Sequence, residues 1–283
     1  LAGIFFSVLM RLSWVQLHYW QNSEKLFNHA IEVTDKKYPS FVGIYNNLGV
    51  VLNEQLKFKE AMVHLKSAVK LQPTYSEAHN NLGNALSGLN RFREANIYYQ
   101  EAIRLNPNYP EAHNNLANSL SKKLRLDEAI IHYKKAIQLK PEYSEAHFNF
   151  GVTLNKWNRS EQAIGYLEEA IRLNPNFTKA RLSLGNILRL KYEFKTAIHH
   201  FKTIIKVNPN HAIAHNSLGS ALAEQGNFEQ AIVHFQTSIT INPRYLEAHQ
   251  NLGTIFLILG QPEQSAVYFK TAKEIAMNET LKQ

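Results

Sequence analysis

The chain repeats itself every 34 residues, and nothing else in it restricts the fold as strongly. The phrase Asn47-Leu48-Gly49 returns as Asn81-Leu82-Gly83 and as Asn115-Leu116-Ala117. It then returns as Asn149-Phe150-Gly151, Ser183-Leu184-Gly185, Ser217-Leu218-Gly219 and Asn251-Leu252-Gly253. The landmark Leu or Phe stands at 48, 82, 116, 150, 184, 218 and 252 without a slip. A strict period of roughly 20–50 residues marks an array whose units bury apolar surface only against their neighbours. A length of 283 residues would otherwise suggest two globular domains.

Inside one unit the apolar spacing is helical. Between Glu77 and Leu89 the stripe is Ala78, His79, Leu82, Ala85 and Leu86, with Gly83 on the same side, where a second helix can approach closely. A turn follows, and then a second stripe of Phe92, Ala95, Tyr99, Ala102, Ile103 and Leu105. Asn106-Pro107 closes the unit, because the residue before a proline is pushed out of helical geometry. That proline recurs at 73, 107, 141, 175, 209 and 243, and a small residue recurs from Ala61 and Ala95 through to Ser265.

These Leu-Gly, Ala, aromatic and Pro landmarks resemble the tetratricopeptide repeat (TPR) over about residues 19–277. The resemblance implies an all-α fold, a right-handed α-solenoid or superhelix of helix–turn–helix TPR units. Seven units then occupy residues 42–277. A degenerate half-repeat and linker at 19–41 precede them, and a tail at 278–283 follows. The half-repeat is visible because residues 19–34 align without a gap on 91–106, with Asp35 in place of the usual Pro. Within the family, Ala78-His79-Asn80-Asn81-Leu82-Gly83 resembles the long arrays of O-linked N-acetylglucosamine transferases. The leader Tyr19-Trp20-Gln21-Asn22-Ser23-Glu24-Lys25-Leu26-Phe27 resembles the join between the last membrane helix and the repeat tail in proteins related to protein O-mannosyltransferases.

Residues 1–18 form an apolar leader. Its run from Leu1 to Met10 is shorter than the roughly 20 residues needed to cross a bilayer. Trp14, Tyr19 and Trp20 follow it, residue types that settle at a membrane interface. The expectation is the end of a transmembrane helix, so that the protein is membrane-associated with a soluble repeat domain, extracytoplasmic or, if free-standing, cytoplasmic. The alternative is an apolar helix that caps the stack.

The resemblance also implies that first helices line a concave groove. Side chains one, two and five residues before the landmark, and two, five and six after it, then face a ligand. Asn fills these columns although it is a poor helix former. Its amide offers a donor beside an acceptor, the complement of a peptide bond. Asn47, Asn80, Asn81, Asn84, Asn114, Asn115, Asn118, Asn149, Asn186, Asn216 and Asn251 are therefore candidates for holding an extended polypeptide or disordered segment by its backbone. The competing reading is that some of these amides bond to neighbouring repeats and only stabilise the stack. The pattern falters at Phe148, Val152 and Leu182, with Lys156, Lys179 and Arg189 nearby. These six are candidates for an apolar anchor flanked by cations, which would select a ligand with a hydrophobic residue beside acidic ones.

Other chemistries find little support. The chain has no cysteine, which removes thiol nucleophiles and zinc–thiolate sites. His79, His113, His147, His215 and His249 recur with the period, but adjacent helices are about 8–10 Å apart, too far for one metal ion to collect their nitrogens. No phosphate-cradling Gly loop or nucleophile elbow occurs, so neither a cofactor nor a catalytic role is expected of these residues. The net charge of +8 is dispersed, which argues against nucleic acid as the partner. Two functions remain: a peptide-binding interaction scaffold that is part of a membrane-anchored protein, or the substrate-binding region of a protein O-glycosyltransferase whose catalytic part lies outside the chain.

Overall fold

The computed structural model describes residues 23–33 and 40–280. Every regular element among them is an α-helix. These are α1 (Ser23–Val33), α2 (Ser40–Glu54), α3 (Phe58–Leu71), α4 (Ser76–Gly88), α5 (Phe92–Leu105), α6 (Pro110–Lys122), α7 (Leu126–Leu139) and α8 (Ser144–Lys156). They continue with α9 (Ser160–Leu173), α10 (Thr178–Leu190), α11 (Phe194–Val207), α12 (Ala212–Glu224), α13 (Phe228–Ile241), α14 (Leu246–Ile258) and α15 (Pro262–Thr280). The packing divides the chain into two units, one ending at Ala146 and one starting at His147. Each unit is an all-α stack of helix pairs. The apolar leader at 1–18, with the membrane expectation it carries, lies outside the described residues. Among those residues no helix is long and apolar enough to cross a membrane.

The core of a helix pair follows from the sequence stripes. In α4 and α5, Ala78, Leu82, Ala85, Ala95 and Ala102 are fully buried, and Leu86 and Tyr99 are almost so. The small residues let the two axes approach, and the large ones fill the layer between them. Gly83 is required by this approach, since a Cβ there would lie 2.5 Å from the Tyr99 ring. Gly185 stands in the same relation to Phe201, at 2.6 Å.

The turn inside each pair passes through one left-handed residue. Its φ is 61° at Leu56, 59° at Asn90, 61° at Leu124, 57° at Asn158 and 62° at Tyr192, and a glycine takes the place at Gly226 and Gly260. The Arg91 amide then reaches back to the Leu86 carbonyl at 2.9 Å, a bond that ends α4 and aims the chain into α5. Between pairs, Asn106 is extended before Pro107, and its Oδ1 accepts the Asn108 amide at 3.2 Å.

The periodic histidines belong to this joint. His79 Nε2 lies 2.8 Å from the Pro73 carbonyl, His113 Nε2 3.1 Å from Pro107, His215 Nε2 3.0 Å from Pro209 and His249 Nε2 3.0 Å from Pro243. Each ring satisfies a carbonyl that the proline break frees from the helix. Arg181 takes the role in its own repeat, its Nε donating to the Pro175 carbonyl at 2.9 Å.

Candidate functional site

Within the first unit α2 packs beside α4 and α4 beside α6, and within the second α10 packs beside α12 and α12 beside α14. Each unit thus presents one face made of first helices, and the asparagine columns lie on it. The column two residues before the landmark is not exposed. Asn80 and Asn114 are each 3 % exposed and Asn216 is 8 % exposed. Asn80 Oδ1 accepts from Asn115 Nδ2 of the next repeat at 3.0 Å, and Asn80 sits close to the Tyr109 hydroxyl. Asn216 Oδ1 accepts from Asn251 Nδ2 at 2.9 Å, and Asn216 sits close to Tyr245. Asn114 Nδ2 donates to Asn115 Oδ1 at 3.4 Å, and Asn114 sits close to Tyr143 in the same manner. Placing Asn80, Asn114 and Asn216 in the groove is therefore corrected: they are buried braces between successive repeats. A buried amide must bond to protein, and these three do.

The column one residue before the landmark supplies the other half of the brace. Asn81 donates to Asn46 Oδ1 at 3.0 Å, and Asn115 donates to both Asn80 and Asn84 at 3.0 Å. Asn81, Asn115, Asn149 and Asn251 are half-buried, whereas Asn47 is exposed. Their amide nitrogens are largely committed to the stack wherever a brace is present.

The column two residues after the landmark is different. Tyr99 donates its hydroxyl proton to Asn84 Oδ1 at 2.9 Å, and Tyr133 donates to Asn118 Oδ1 at 2.6 Å. Fixing the oxygen inward orients the amide and leaves its NH₂ to the groove. Asn186 has Phe201, which carries no hydroxyl, at the facing position. Its half-buried side chain makes no hydrogen bond among the described residues.

The anchor candidates separate in the same way. Phe148 sits in the brace column and packs on Phe177, ring centroids 4.9 Å apart. Phe177 stands where other repeats have a tyrosine, so an aromatic contact replaces the Asn–Tyr contact. Leu182 occupies the same column and is half-buried. Phe148 is thus spent between repeats, and this corrects its reading as an open anchor. Arg189 is paired with Glu224, so its charge is not available as a lone cation. Val152 and Lys156 do meet: with Asn155, Ser183, Asn186 and Leu190 they line a hollow of about 200 Å³. Lys179 is exposed at the start of α10 and does not line it. A larger hollow of about 450 Å³ lies further along the second unit, between α10, α12 and α14. Glu224, Glu247, Gln250, Thr254 and Ile258 line it. This second hollow was missed as a site, although the columns five before and six after the landmark contain Glu247 and Glu224.

Tetratricopeptide-repeat family models match residues 76–109, 110–143, 132–165, 212–245 and 246–278, together more than half of the chain. The chain belongs to the tetratricopeptide-repeat family. None of the curated proteins compared with this repeat protein matches it. Among solved structures it is similar to YrrB, described as a TPR protein with an unusual peptide-binding site. The identity is 26 % and the TM-score 0.54, over 65 % of this chain and 95 % of that one. It is similar to MamA at 25 % identity and a TM-score of 0.53, over 58 % of this chain and 96 % of that one. Its fold also matches pilF of Pseudomonas aeruginosa at 21 % identity and a TM-score of 0.65, over 74 % and 95 % of the two chains. The repeat protein thus has the fold of an interaction scaffold.

Proposed function

We propose that this repeat protein holds an extended polypeptide along its first-helix faces, gripping the backbone through the amides two residues after each landmark. The observation that carries the reading is Asn186. Its carboxamide is half-buried in a hollow and has no hydrogen-bond partner among the described residues. Its polar atoms are open to the hollow, so a ligand can bond them without displacing a protein partner. Asn84 and Asn118, oriented by Tyr99 and Tyr133, offer NH₂ groups of the same kind in the first unit. Backbone recognition of this sort gives affinity with little regard to side chains. The peptide site named for YrrB is consistent with it. Asn186→Ala is expected to weaken binding to a spotted peptide array about five- to tenfold, the loss of one or two hydrogen bonds, without changing helicity. Equal binding by the variant would remove the basis of the reading.

The Asn-rich wording also supports a second reading, the substrate-binding region of a protein O-glycosyltransferase. Attachment to a membrane through residues 1–18 would suit either. Expression with and without those residues, followed by carbonate extraction of membranes, tests the attachment. Recovery of both forms in the soluble fraction would exclude it.

A further inference from the structure

The second unit carries opposite charge at the two ends of its first-helix face. At one end stand Lys156, at the close of α8, and Lys179, at the start of α10. Both are exposed and neither has an ion-pair partner among the described residues. Two further cations of this stretch are neutralised, Arg189 by Glu224 and Lys191 by Glu161. At the other end Glu247 is exposed without an ion-pair partner and borders the hollow of about 450 Å³. Glu224 adds a second, shared carboxylate there. Between the ends the face is aliphatic, with Leu190 67 % exposed and Ile213 45 % exposed.

We propose that this face is a charge-ordered seat for one class of segment: an extended peptide with an acidic residue, then an aliphatic one, then Lys or Arg. The proposal rests on the reading that the first-helix face binds polypeptide, and adds which polypeptide. The acidic side chain meets Lys179, which stands five residues before its landmark and is exposed; Lys156, at the far end of its helix, belongs to a separate row. The aliphatic side chain covers Ile213, which shares the row of Lys179 and Glu247. The basic side chain brings its charge to Glu247, at the border of the larger hollow, with its methylene stem along the surface, the usual disposition of a long cationic side chain. The hollow is within the size range of ligand pockets, roughly 300–1,000 Å³. The spacing follows from the stack. Lys156 to Glu224, and Lys179 to Glu247, each span two steps between first helices, or roughly 16–20 Å at about 8–10 Å per step. An extended chain advances about 3.3 Å per residue, so the two charges of the ligand lie about five or six residues apart.

The test uses the full chain and synthetic twelve-residue peptides with an Ala/Gln background and a central Leu. One Glu and one Arg are placed two to ten residues apart, with Glu–Glu and Arg–Arg peptides as controls, and binding is read by fluorescence anisotropy. The tightest binding is expected at a separation of about five or six, with both controls about five- to tenfold weaker, the scale of one or two partly exposed ion pairs. Glu247→Lys is expected to make Glu–Glu the preferred peptide, and Glu247→Gln to abolish the preference without reversing it. Binding that ignores separation, or a Glu247→Lys protein that still prefers Arg, overturns the charge ordering and leaves peptide binding standing. Absence of binding to every peptide overturns the peptide reading itself.

Discussion

Phe148 and Phe177 pack with ring centroids 4.9 Å apart and planes tilted by 47°, at the point where neighbouring repeats set an asparagine beside a tyrosine. Asn80 with Tyr109, Asn114 with Tyr143, and Asn216 with Tyr245 make the polar version of the same contact. Two chemistries therefore serve one joint, and the partners are matched within each. Phe148→Asn alone buries an amide against a ring that cannot bond it, and Phe177→Tyr alone sets a hydroxyl against a ring. Each is expected to cost about 1–2 kcal/mol in urea unfolding. The double variant recreates the polar brace and is expected to lose less than the sum, with a coupling of about 1 kcal/mol. Strict additivity would show that the two side chains do not act as a pair.

Two glycines in helix interiors should respond oppositely to alanine. Gly83→Ala drives a Cβ to 2.5 Å from the Tyr99 ring, which is itself fully packed. The ring must shift, and the expected loss is about 1–3 kcal/mol. Gly165 lies in α9 with nothing within 4 Å of a built Cβ. Gly165→Ala is expected to stabilise by about 1 kcal/mol through helix propensity alone. Thermal melts of the two variants followed by circular dichroism check both signs.

The repeat columns explain why the helices could be read from the text while part of the site could not. Leu82 and Tyr99 face inward in every copy of the pattern, so periodicity alone finds them. Asn80, Asn81 and Asn84 look equivalent as letters, yet one is a buried brace, one is its donor to the previous repeat, and one is held by a tyrosine. What separates them is the partner in another helix, which no single column contains. One signal was present in the sequence: Asn accompanies Tyr 29 residues later at 80, 114 and 216, and Phe148 accompanies Phe177 at the same interval. Comparing columns in pairs would have assigned Phe148 to the joint. Arg189 posed the same difficulty, because Glu224, which neutralises it, is a whole repeat away.

The left-handed turn residues store strain that substitution can release. Leu124 has φ 61° and is 75 % exposed, so its side chain contributes little packing. A left-handed conformation costs an L-residue about 1–2 kcal/mol, and glycine escapes that cost. Glycine also loses more freedom on folding, which offsets part of the gain. Leu124→Gly is expected to raise stability by about 0.5–1 kcal/mol in urea titration. The reverse change, Gly226→Leu at φ 81°, is expected to lower it by a similar amount. A destabilised Leu124→Gly protein would mean that the turn is not strained.

Acid should weaken the stack in a window set by its histidines. His113 Nδ1 lies 3.0 Å from His132 Nδ1, and His215 Nδ1 lies 3.1 Å from His234 Nδ1. Such a pair shares one proton, and a second would set cation against cation. Burial first, and the facing histidine second, hold His132 and His234 below the ordinary histidine value. Burial lowers His113 and His64 as well. His200 falls to about 4, through burial, then the Arg181 charge, then His199. Unfolded histidine titrates near 6.5. With folded values below that, the unfolded chain binds more protons, so the stability these groups contribute is complete above about pH 6.5 and is lost as the pH falls toward 4. Glu101 and Glu169, whose bonds to Arg104 and Arg172 hold them below the usual carboxylate range, lose their contribution only further down. The interval from pH 6.5 to 5 therefore isolates the histidines. The urea midpoint is expected to be level between pH 8 and 7 and to drop across that interval. His132→Tyr combined with His234→Tyr recreates the His–Tyr pairing seen at His79 with Tyr98 and His249 with Tyr268, where the ring centroids are 6.0 and 6.1 Å apart. That variant is expected to lose markedly less stability between pH 6.5 and 5, and an unchanged loss would place the acid sensitivity elsewhere.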